Sequence, residues 1–160
     1  MGKPLIFLCS YHHNNTKKIC NAIAAKINAA IIEINNNSEL IDLEKYDLIG
    51  FGAGIDSGKH YSRMLTYAEE LPNVKNKKAF IFSTSGIFTV KKMLNDHRAL
   101  RNILKNKGFE IIDEFGCKGY NTNSVLKYFR GMNKGRPNPA DIKNAESFAE
   151  KILEINENDR

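Results

Sequence analysis

The sequence is poor in cysteine and contains no long apolar run. Its three cysteines, Cys9, Cys20 and Cys117, are odd in number and far apart, and no two of them form a Cys-x-x-Cys pair. This spacing indicates neither a disulfide framework nor a zinc site. No stretch approaches the roughly 20 apolar residues that span a bilayer, and no charged leader precedes an apolar region at the N-terminus. We therefore expect a soluble, cytoplasmic protein with no membrane partner.

The charges do not form a run of one sign. The 160 residues include 24 lysines and arginines and 18 aspartates and glutamates, which gives a formal net charge of +6. Because the basic residues are scattered through predicted helices and turns, the charge bears on solubility and on association with acidic partners, and we expect no nucleic acid partner. The length suits one domain over residues 1–160, which would bury on the order of 70% of its unfolded surface.

Five apolar, β-rich runs alternate with helical patterns, which predicts βαβ units and a parallel sheet with helices on both faces. The second run contains Glu33 and the fifth contains Glu110, Asp113 and Glu114, whereas the other three contain no charged residue and suit strands covered on both faces. The second and fifth strands are therefore expected at the edges. A doubly wound five-stranded sheet of order 2-1-3-4-5 meets this requirement, with its ligand crevice at the carboxyl ends of strands one and three. The runs cover residues 5–8, 30–34, 48–51, 79–82 and 109–115.

Four segments carry apolar residues at helical spacing. The first begins near Thr16, and the others cover residues 61–71, 93–104 and 139–152. Gly108 closes the third pattern as its C′ residue, and the chain from Asn156 onward is expected to fray. Residues 116–137 are rich in glycine, asparagine and basic residues, and we expect a helical turn near residues 125–129 within an irregular excursion. A connection of that length either carries function or covers an edge strand.

The turn between the first strand and the first helix is the first candidate site. Residues 10–16 read Ser-Tyr-His-His-Asn-Asn-Thr and end at a helix N-terminus, where unpaired N–H groups and the macrodipole attract phosphate or another anion. Lys17 and Lys18 lie in the first helical turn, where each is disfavoured by roughly 0.3–1 kcal/mol, and a bound dianion would reverse that sign. The alternative is a plain cap, in which Asn15 or Thr16 holds the helix start and both lysines are solvated.

Two further loops would meet the first one if the predicted strand order holds. Residues 52–58 follow the third strand, and their glycines, Gly52, Gly54 and Gly58, let the backbone approach a flat ligand or adopt positive φ. Residues 83–86 follow the fourth strand and present three hydroxyls and a glycine. Taken alone, residues 83–86 are better explained by an N-cap and turn before the next helix.

Several other chemistries lack their signature at these positions. Gly-x-Gly-x-x-Gly does not follow the first strand, and neither a Gly-x-Ser-x-Gly elbow nor a Walker lysine loop is present. A phosphatase loop of the Cys-x5-Arg type would need arginine where Asn15 stands, and a receiver domain would need an acceptor aspartate where Gly52 stands. His12 and His13 are adjacent on a turn without a carboxylate, which does not favour a metal site. His60 and His97 are interpreted as ordinary surface or helix residues.

With these loops in place, the chain resembles the flavodoxin family over essentially its full length. Residues 11–16 look like a variant of the family's phosphate-binding turn, with His13 in place of a hydroxyl donor and Asn14 in place of a glycine. Asparagine tolerates the left-handed conformation that glycine would supply. Residues 52–59 and 82–86 are similar to the second and third flavin loops. Residues 134–138, Lys-Gly-Arg-Pro-Asn followed by Asp141, look like the closing segment of a short, single-domain branch.

The resemblance implies a noncovalent FMN cofactor, with no catalytic residue and no metal ligand of the protein's own. Tyr61, Ile55, Phe88 and Tyr120 are candidates for apolar and aromatic cover of its ring, and each is equally well explained by a structural role. By family analogy, the first loop would hold the phosphate, and the second and third would hold the isoalloxazine from two sides. In the order of the loops, the implied residues are Ser10, His12, His13, Asn14, Asn15 and Thr16; Ala53, Gly54, Ile55, Asp56 and Ser57; and Ser83, Thr84, Ser85 and Gly86.

Three functions are compatible with this sequence. The first is an FMN-containing carrier that passes electrons between redox protein partners. Because the pI of this chain is near 9.2, acidic partners would be favoured. The second is an NAD(P)H-dependent FMN or quinone reductase of flavodoxin-like fold. The third is a flavin-free binding module that has kept the fold. The basic side chains that favour an anionic nicotinamide cofactor or an acidic protein are Lys59, Arg63, Lys118, Lys127 and Arg130.

Overall fold

The structure is a computed structural model that describes residues 2–121 and 131–159. Within these ranges a short 3-10 turn, His12–Asn14, precedes the first helix. The strands are β1 (Leu5–Cys9), β2 (Ala30–Glu33), β3 (Leu48–Asp56), β4 (Lys59–His60), β5 (Lys77–Ser85) and β6 (Phe109–Lys118). The helices are α1 (Asn15–Ile27), α2 (Ser62–Glu70), α3 (Val90–Asp96), α4 (Arg98–Asn106) and α5 (Pro139–Asn158).

Five parallel strands form the sheet in the order β2-β1-β3-β5-β6, which confirms the flavodoxin-like order predicted from the charge pattern. β2 and β6 lie at the edges, as Glu33 and Glu110 indicate. The sequence did not predict β4, which pairs antiparallel with the end of β3 through Ile55↔His60 and Asp56↔Lys59. This short hairpin forms the end of the second loop.

Two apolar cores lie on opposite faces of the sheet. One contains residues of α2 and α4, such as Met64 and Leu100, and the other contains residues of α1 and α5, such as Ile23 and Phe148. Successive strand residues point to opposite faces. In β5, Ala79 and Ile81 therefore belong to the first core, and Phe80 and Phe82 belong to the second. This alternation decides where the side chains beyond Phe82 point.

The third helical pattern is divided in the structure, because α3 ends before His97 and α4 begins after it. His97 is fully buried, and its ring bonds to residues of β5 and β6, which draws the chain inward between the two helices. The expectation that the chain frays from Asn156 is wrong. Asn156 is buried within α5, and Lys78 of β5 donates to the Ile155 carbonyl and to the Asp159 carboxylate, which anchors the last turn.

The start of α5 is built by the closing segment. Asn138 and Asp141 form a reciprocal capping box, and the Arg136 guanidinium binds the Asp141 carboxylate through two hydrogen bonds. The predicted helical turn at residues 125–129 lies outside the described residues. Of the helices in the described part of the chain, none is both long and apolar enough to cross a membrane.

Candidate functional site

The carboxyl ends of β1, β3 and β5 meet at a polar cleft, at the place that the strand order predicts. All three candidate loops contribute to its lining, together with a fourth segment at residues 119–121. The open space among the lining residues is about 380 Å³, but the part wide enough to admit water is only about 40 Å³. The lining residues are Ser10, Asn15, Thr16, Ile55, Tyr61, Thr84, Ser85, Gly86, Gly119, Tyr120 and Asn121.

The first loop brings the N-terminus of α1 to this cleft. His13 and Asn14 both adopt the left-handed conformation, with φ of 54° and 51°, so Asn14 takes the backbone position for which the resemblance expects glycine. The Asn14 side chain makes no capping hydrogen bond, and the first turn of α1 contains no acidic residue. The first amide groups of this helix are therefore available to an anion in the cleft. The backbone of His12 belongs to the 3-10 turn that precedes the helix.

Two observations refine the predicted cap. The Asn15 amide nitrogen donates to the Tyr120 carbonyl over 2.7 Å, while its Oδ1 atom is buried and has no hydrogen-bond partner in the described residues. Lys17 pairs with Glu33 at 2.5 Å, so its charge in the first helical turn is already compensated. Of the two lysines, only Lys18 still supports the expectation of a bound anion. The unpaired Asn15 Oδ1 atom is the stronger indication of a ligand.

The third loop divides between the two faces of the sheet. Thr84 points toward α1, and its hydroxyl lies 2.9 Å from that of Thr16, which ties the third loop to the first. Ser85 and Gly86 also line the cleft. Ser83 points to the opposite face, where its hydroxyl is bonded to His97, and it does not line the cleft. The alternation of strand residues could have separated Ser83 from Thr84 in advance.

The second loop contributes less side-chain surface than the resemblance implies. Ile55 lines the cleft, whereas Ala53 is buried in the core and Asp56 and Ser57 are exposed at the hairpin turn. Ser57 and Gly58 have positive φ, of 51° and 78°, as a tight two-residue turn requires.

The glycines of β3 have a packing function that the sequence did not reveal. A Cβ atom at Gly52 would overlap the ring of Phe82, and one at Gly54 would overlap Tyr61. The expectation that Gly52 lets backbone approach a ligand is therefore corrected: its missing side chain is replaced by an aromatic ring from the neighbouring strand.

Aromatic side chains form one wall of the cleft. Tyr61 stacks on Tyr11 with ring centroids 4.8 Å apart, and the Arg63 guanidinium lies 4.9 Å from the centre of the Tyr11 ring. Burial raises the pKa of Tyr61, and burial together with the neighbouring Cys9 raises the pKa of Tyr11 to about 12, so both phenols are neutral. Of the four predicted covering residues, Tyr61, Ile55 and Tyr120 line the cleft and Phe88 does not.

A separate polar groove of about 480 Å³ lies beside this wall, between α2 and the segment that follows β2. Tyr11 and Arg63 form its end nearest the cleft, and Asn35, Asn36 and Ser38 line it opposite the helix. The groove therefore combines an aromatic ring, a guanidinium group and amide side chains next to the candidate site.

The interpretation of His60 and His97 as ordinary surface or helix residues is wrong. Both imidazoles are completely buried, and their ring centroids are 4.7 Å apart. His97 Nε2 lies 2.7 Å from Ser83 Oγ, and His97 Nδ1 lies 3.0 Å from Glu114 Oε1. The sequence offered one signal, the charged Glu114 within an apolar run, and it was interpreted only as a sign of an edge strand.

Ser83, His97 and Glu114 are connected in the same order as the serine, histidine and carboxylate of a hydrolase triad, but they do not form a hydrolase site. Ser83 is 3% exposed and lies outside the cleft, so a substrate cannot reach its hydroxyl. Arg101 binds both oxygens of Glu114 at 2.9 Å, which completes a buried network on the α4 side of β5. The described residues contain no group of three or more His, Cys, Asp or Glu side chains that could hold a metal ion.

The fold and the cleft define a doubly wound α/β protein with a polar crevice at the carboxyl ends of its central strands, where the first helix begins without a side-chain cap from Asn14. Residues 7–159 match the flavodoxin domain family, and the chain belongs to that family. The chain is 50% identical over 151 residues to "Uncharacterized protein MJ0298" of Methanocaldococcus jannaschii, with 94% of this chain and 98% of that protein covered.

Two solved structures show the same fold. Oxidised Flavodoxin 1 from Bacillus cereus superposes with a TM-score of 0.69 at 18% identity, covering 95% of this chain and 98% of that one. A flavoprotein in complex with FMN from Lactobacillus acidophilus gives a TM-score of 0.57 at 18% identity, covering 72% of this chain and 93% of that one. These likenesses confirm the predicted flavodoxin-like fold.

Proposed function

We propose that this protein binds FMN in the cleft and carries electrons between redox proteins. The observation on which the proposal depends is the uncapped N-terminus of α1, which opens on the cleft beside the unpartnered Asn15 Oδ1. Amide N–H groups suit a phosphate, and an unpaired buried acceptor suits a hydroxyl donor such as those of a ribityl chain. Membership of the flavodoxin family and the FMN complex of the Lactobacillus acidophilus flavoprotein support the same ligand.

The donor set and the walls fit FMN chemically, but the space requires an adjustment. A part of about 40 Å³ that admits water is far below the roughly 300 Å³ or more of ordinary ligand pockets. The Tyr120 backbone closes this space by accepting the hydrogen bond from Asn15, and the Tyr120 ring packs against His13 with centroids 4.3 Å apart. FMN binding would break the Asn15–Tyr120 hydrogen bond and displace residues 119–121.

The residues then have separable contributions. Backbone N–H groups of residues 14–16 would hold the phosphate, and the Thr16–Thr84 contact would keep the first and third loops together. Ile55 and Tyr61 would cover one side of the ring system, with Thr84, Ser85 and Gly86 on the other. Bound FMN would supply the one- and two-electron chemistry that these side chains lack.

The decisive test is a titration of the purified protein with FMN and with riboflavin, followed by flavin fluorescence. We expect FMN to bind and Asn15→Asp to weaken it on the order of 100-fold, because the added carboxylate lies in the helical turn that would hold the phosphate, and two like charges about 4 Å apart repel by several kcal/mol even at a moderate effective dielectric constant. Riboflavin has no phosphate, so its affinity should change much less.

Asn21→Asp is the matched control, since Asn21 is exposed on the same helix away from the cleft. A carboxylate near the start of a helix is favourable for the helix itself, but Asn15→Asp also loses the donor to the Tyr120 carbonyl, so the melting temperature of the variant is measured to establish that it is folded. If FMN leaves the fluorescence unchanged at a large excess of protein, or if both aspartate variants weaken it equally, the proposed site is wrong.

An NAD(P)H-dependent reductase is the second candidate, and the groove beside Tyr11 is the observation that favours it. Arg63 could pair with a phosphate of a nicotinamide cofactor in this groove. Asn35 and Asn36 could form hydrogen bonds with the polar groups of that cofactor. Steady-state oxidation of NAD(P)H by the FMN-loaded protein with a quinone or free flavin distinguishes the two. Rapid turnover that Arg63→Ala reduces would favour the reductase over the carrier.

The electron-carrier proposal also predicts the kind of partner. Lys59 is exposed at the β3–β4 hairpin and Lys118 ends β6 next to the cleft residue Gly119, so two cations lie near the proposed flavin edge, together with the exposed Asp56. Lys127 and Arg130 lie outside the described residues. An acidic redox protein would be attracted to this edge, and the association rate should fall steeply as the salt concentration rises.

A further inference from the structure

The protonation of the buried network follows from its partners. The Phe82 carbonyl can only accept, so His60 Nε2, 3.3 Å away, carries the hydrogen and His60 Nδ1 is a lone-pair acceptor. Burial opposes ionisation of Glu114, but hydrogen bonds from His97 and Arg101 lower its pKa to about 2. Glu114 is therefore a carboxylate, and His97 Nδ1 carries the hydrogen that it accepts. The tautomers of both imidazoles are fixed by these neighbours.

The network joins the second loop to the third without lining the cleft. His60 follows the turn of the β3–β4 hairpin and pairs with Ile55, which faces the cleft. Ser83 directly precedes Thr84, whose hydroxyl contacts Thr16 in the cleft. His97 contacts both, since its ring packs on His60 and its Nε2 bonds to Ser83. A shift of His97 would therefore move the two loops relative to one another.

Packing of a core does not explain these residue types. The two imidazoles have 0% exposure, and His60 Nδ1 has no hydrogen-bond partner anywhere in the described residues. A buried acceptor without a partner costs free energy, and apolar side chains of similar volume would avoid the cost of desolvating the charged pair. What directional hydrogen bonds supply, and apolar contacts do not, is a fixed relative position of the groups that they join.

We infer that His60 and His97 are positioning residues, which lock the β3–β4 hairpin against the end of β5 and so set the shape of the cleft. His60 does this through its bond to the Phe82 carbonyl, and His97 through Ser83 on one side and Glu114 on the other. The inference rests on the proposed function only in the identity of the ligand. The lock itself belongs to the protein without a ligand.

The test compares amide hydrogen exchange of the full chain without ligand in four variants and the unsubstituted protein. His60→Phe keeps an aromatic ring at this position and removes the N–H group that donates to the Phe82 carbonyl. His97→Asn keeps a donor near the position of Nδ1 and loses the link to Ser83, whereas His97→Gln keeps an amide near the position of Nε2. Tyr67→Phe is the matched control, because it removes one partly buried hydrogen bond, to the Glu39 carbonyl, from a residue of the core on the same face of the sheet.

We expect His60→Phe to accelerate exchange about tenfold in residues 55–60, the change produced by loss of a buried hydrogen bond at the upper end of its usual strength. His97→Asn should accelerate exchange in residues 83–86 as well, and His97→Gln should lie closer to the unsubstituted protein. Tyr67→Phe should leave both segments unchanged. In FMN titrations the same order should hold, with the dissociation constant raised about tenfold by His60→Phe and His97→Asn.

Acceleration spread evenly over the whole chain, or a hairpin as protected in His60→Phe as in Tyr67→Phe, would show that the two histidines are ordinary core residues. The exchange data decide this whether or not FMN binds. Failure of the unsubstituted protein to bind FMN, with the hairpin still loosened by His60→Phe, would remove the proposed function and leave the lock in place.

Discussion

Replacing Gly52 with alanine separates two explanations of the glycines in β3. The sequence alone assigns Gly52 to a loop that approaches a flat ligand, whereas the structure places the Phe82 ring where a Cβ atom would lie. Gly52 has ordinary negative φ, so alanine meets no backbone strain there, and the reduced freedom of the unfolded chain favours it by about 0.4–1 kcal/mol. Overpacking against a fully buried ring costs about 1–3 kcal/mol.

The net expectation is a loss of about 1–2 kcal/mol in the free energy of unfolding. Urea denaturation followed by circular dichroism measures it, and with a slope of about 2 kcal/mol/M the midpoint should fall by about 0.5–1 M. Phe82→Leu vacates part of the ring volume, so the double variant should be less destabilised than the sum of the two single changes.

Gly50→Ala is the internal control, since a Cβ atom at Gly50 would overlap Phe80 in the same way, two residues farther from the cleft. Both glycine variants should lose similar stability and retain FMN affinity once folded. If Gly52→Ala leaves the urea midpoint unchanged and abolishes FMN binding, the packing explanation is refuted and the ligand-approach explanation is restored.

Three further outcomes follow from the buried polar groups and thiols. Burial and, to a lesser extent, the neighbouring His97 lower the pKa of His60 to about 3, so nitrogen-15 NMR should find the ring neutral, with its hydrogen on Nε2, down to about pH 4. Its contribution to stability should decline as the pH falls from the ordinary histidine pKa of about 6.5 toward 3. A charged ring at pH 5 would contradict the buried geometry. Burial alone would raise the pKa of Asp141, but hydrogen bonds from Arg136 and the Asn138 amide lower it below its ordinary value. The carboxylate therefore stabilises the protein above the ordinary aspartate pKa, and this stabilisation is lost as the pH falls through the folded pKa. Asp141→Asn should lower the melting temperature at pH 7, and the difference should shrink at pH 3. Cys9, Cys20 and Cys117 are buried, and burial raises the pKa of Cys20 and of Cys117 to about 12, so a thiol reagent such as dithionitrobenzoate should label them only after denaturation.

The strand order and the location of the cleft could be predicted because they depend on local properties of the chain. Apolar runs without charge mark the covered strands, Glu33 and Glu110 mark the edges, and the carboxyl ends of β1 and β3 then define the crevice. Asn14 was expected to replace a glycine because asparagine accepts the left-handed conformation, and it does so with φ of 51°. These inferences need only the residue and its immediate neighbours in the chain.

The errors arose where side chains far apart in sequence meet. His97 and Ser83 are 14 residues apart, and His97 and Glu114 are 17 apart, so their hydrogen bonds are invisible to any pattern of helical or strand spacing. The same holds for Asn15 and the Tyr120 carbonyl, which are 105 residues apart. Ser83 was grouped with Thr84, Ser85 and Gly86 as the third flavin loop by resemblance, whereas the structure places its side chain on the other side of the sheet, as adjacent strand residues require.

By itself, the sequence determined the fold, the order of the strands and the edge at which the three loops meet, since periodicity and charge specify which surfaces must be buried. Tertiary structure alone decided which hydroxyls face the cleft, how narrow that cleft is, and that two histidines lie in the core. These features depend on distances between elements, and such distances are fixed only when the helices have packed on the sheet.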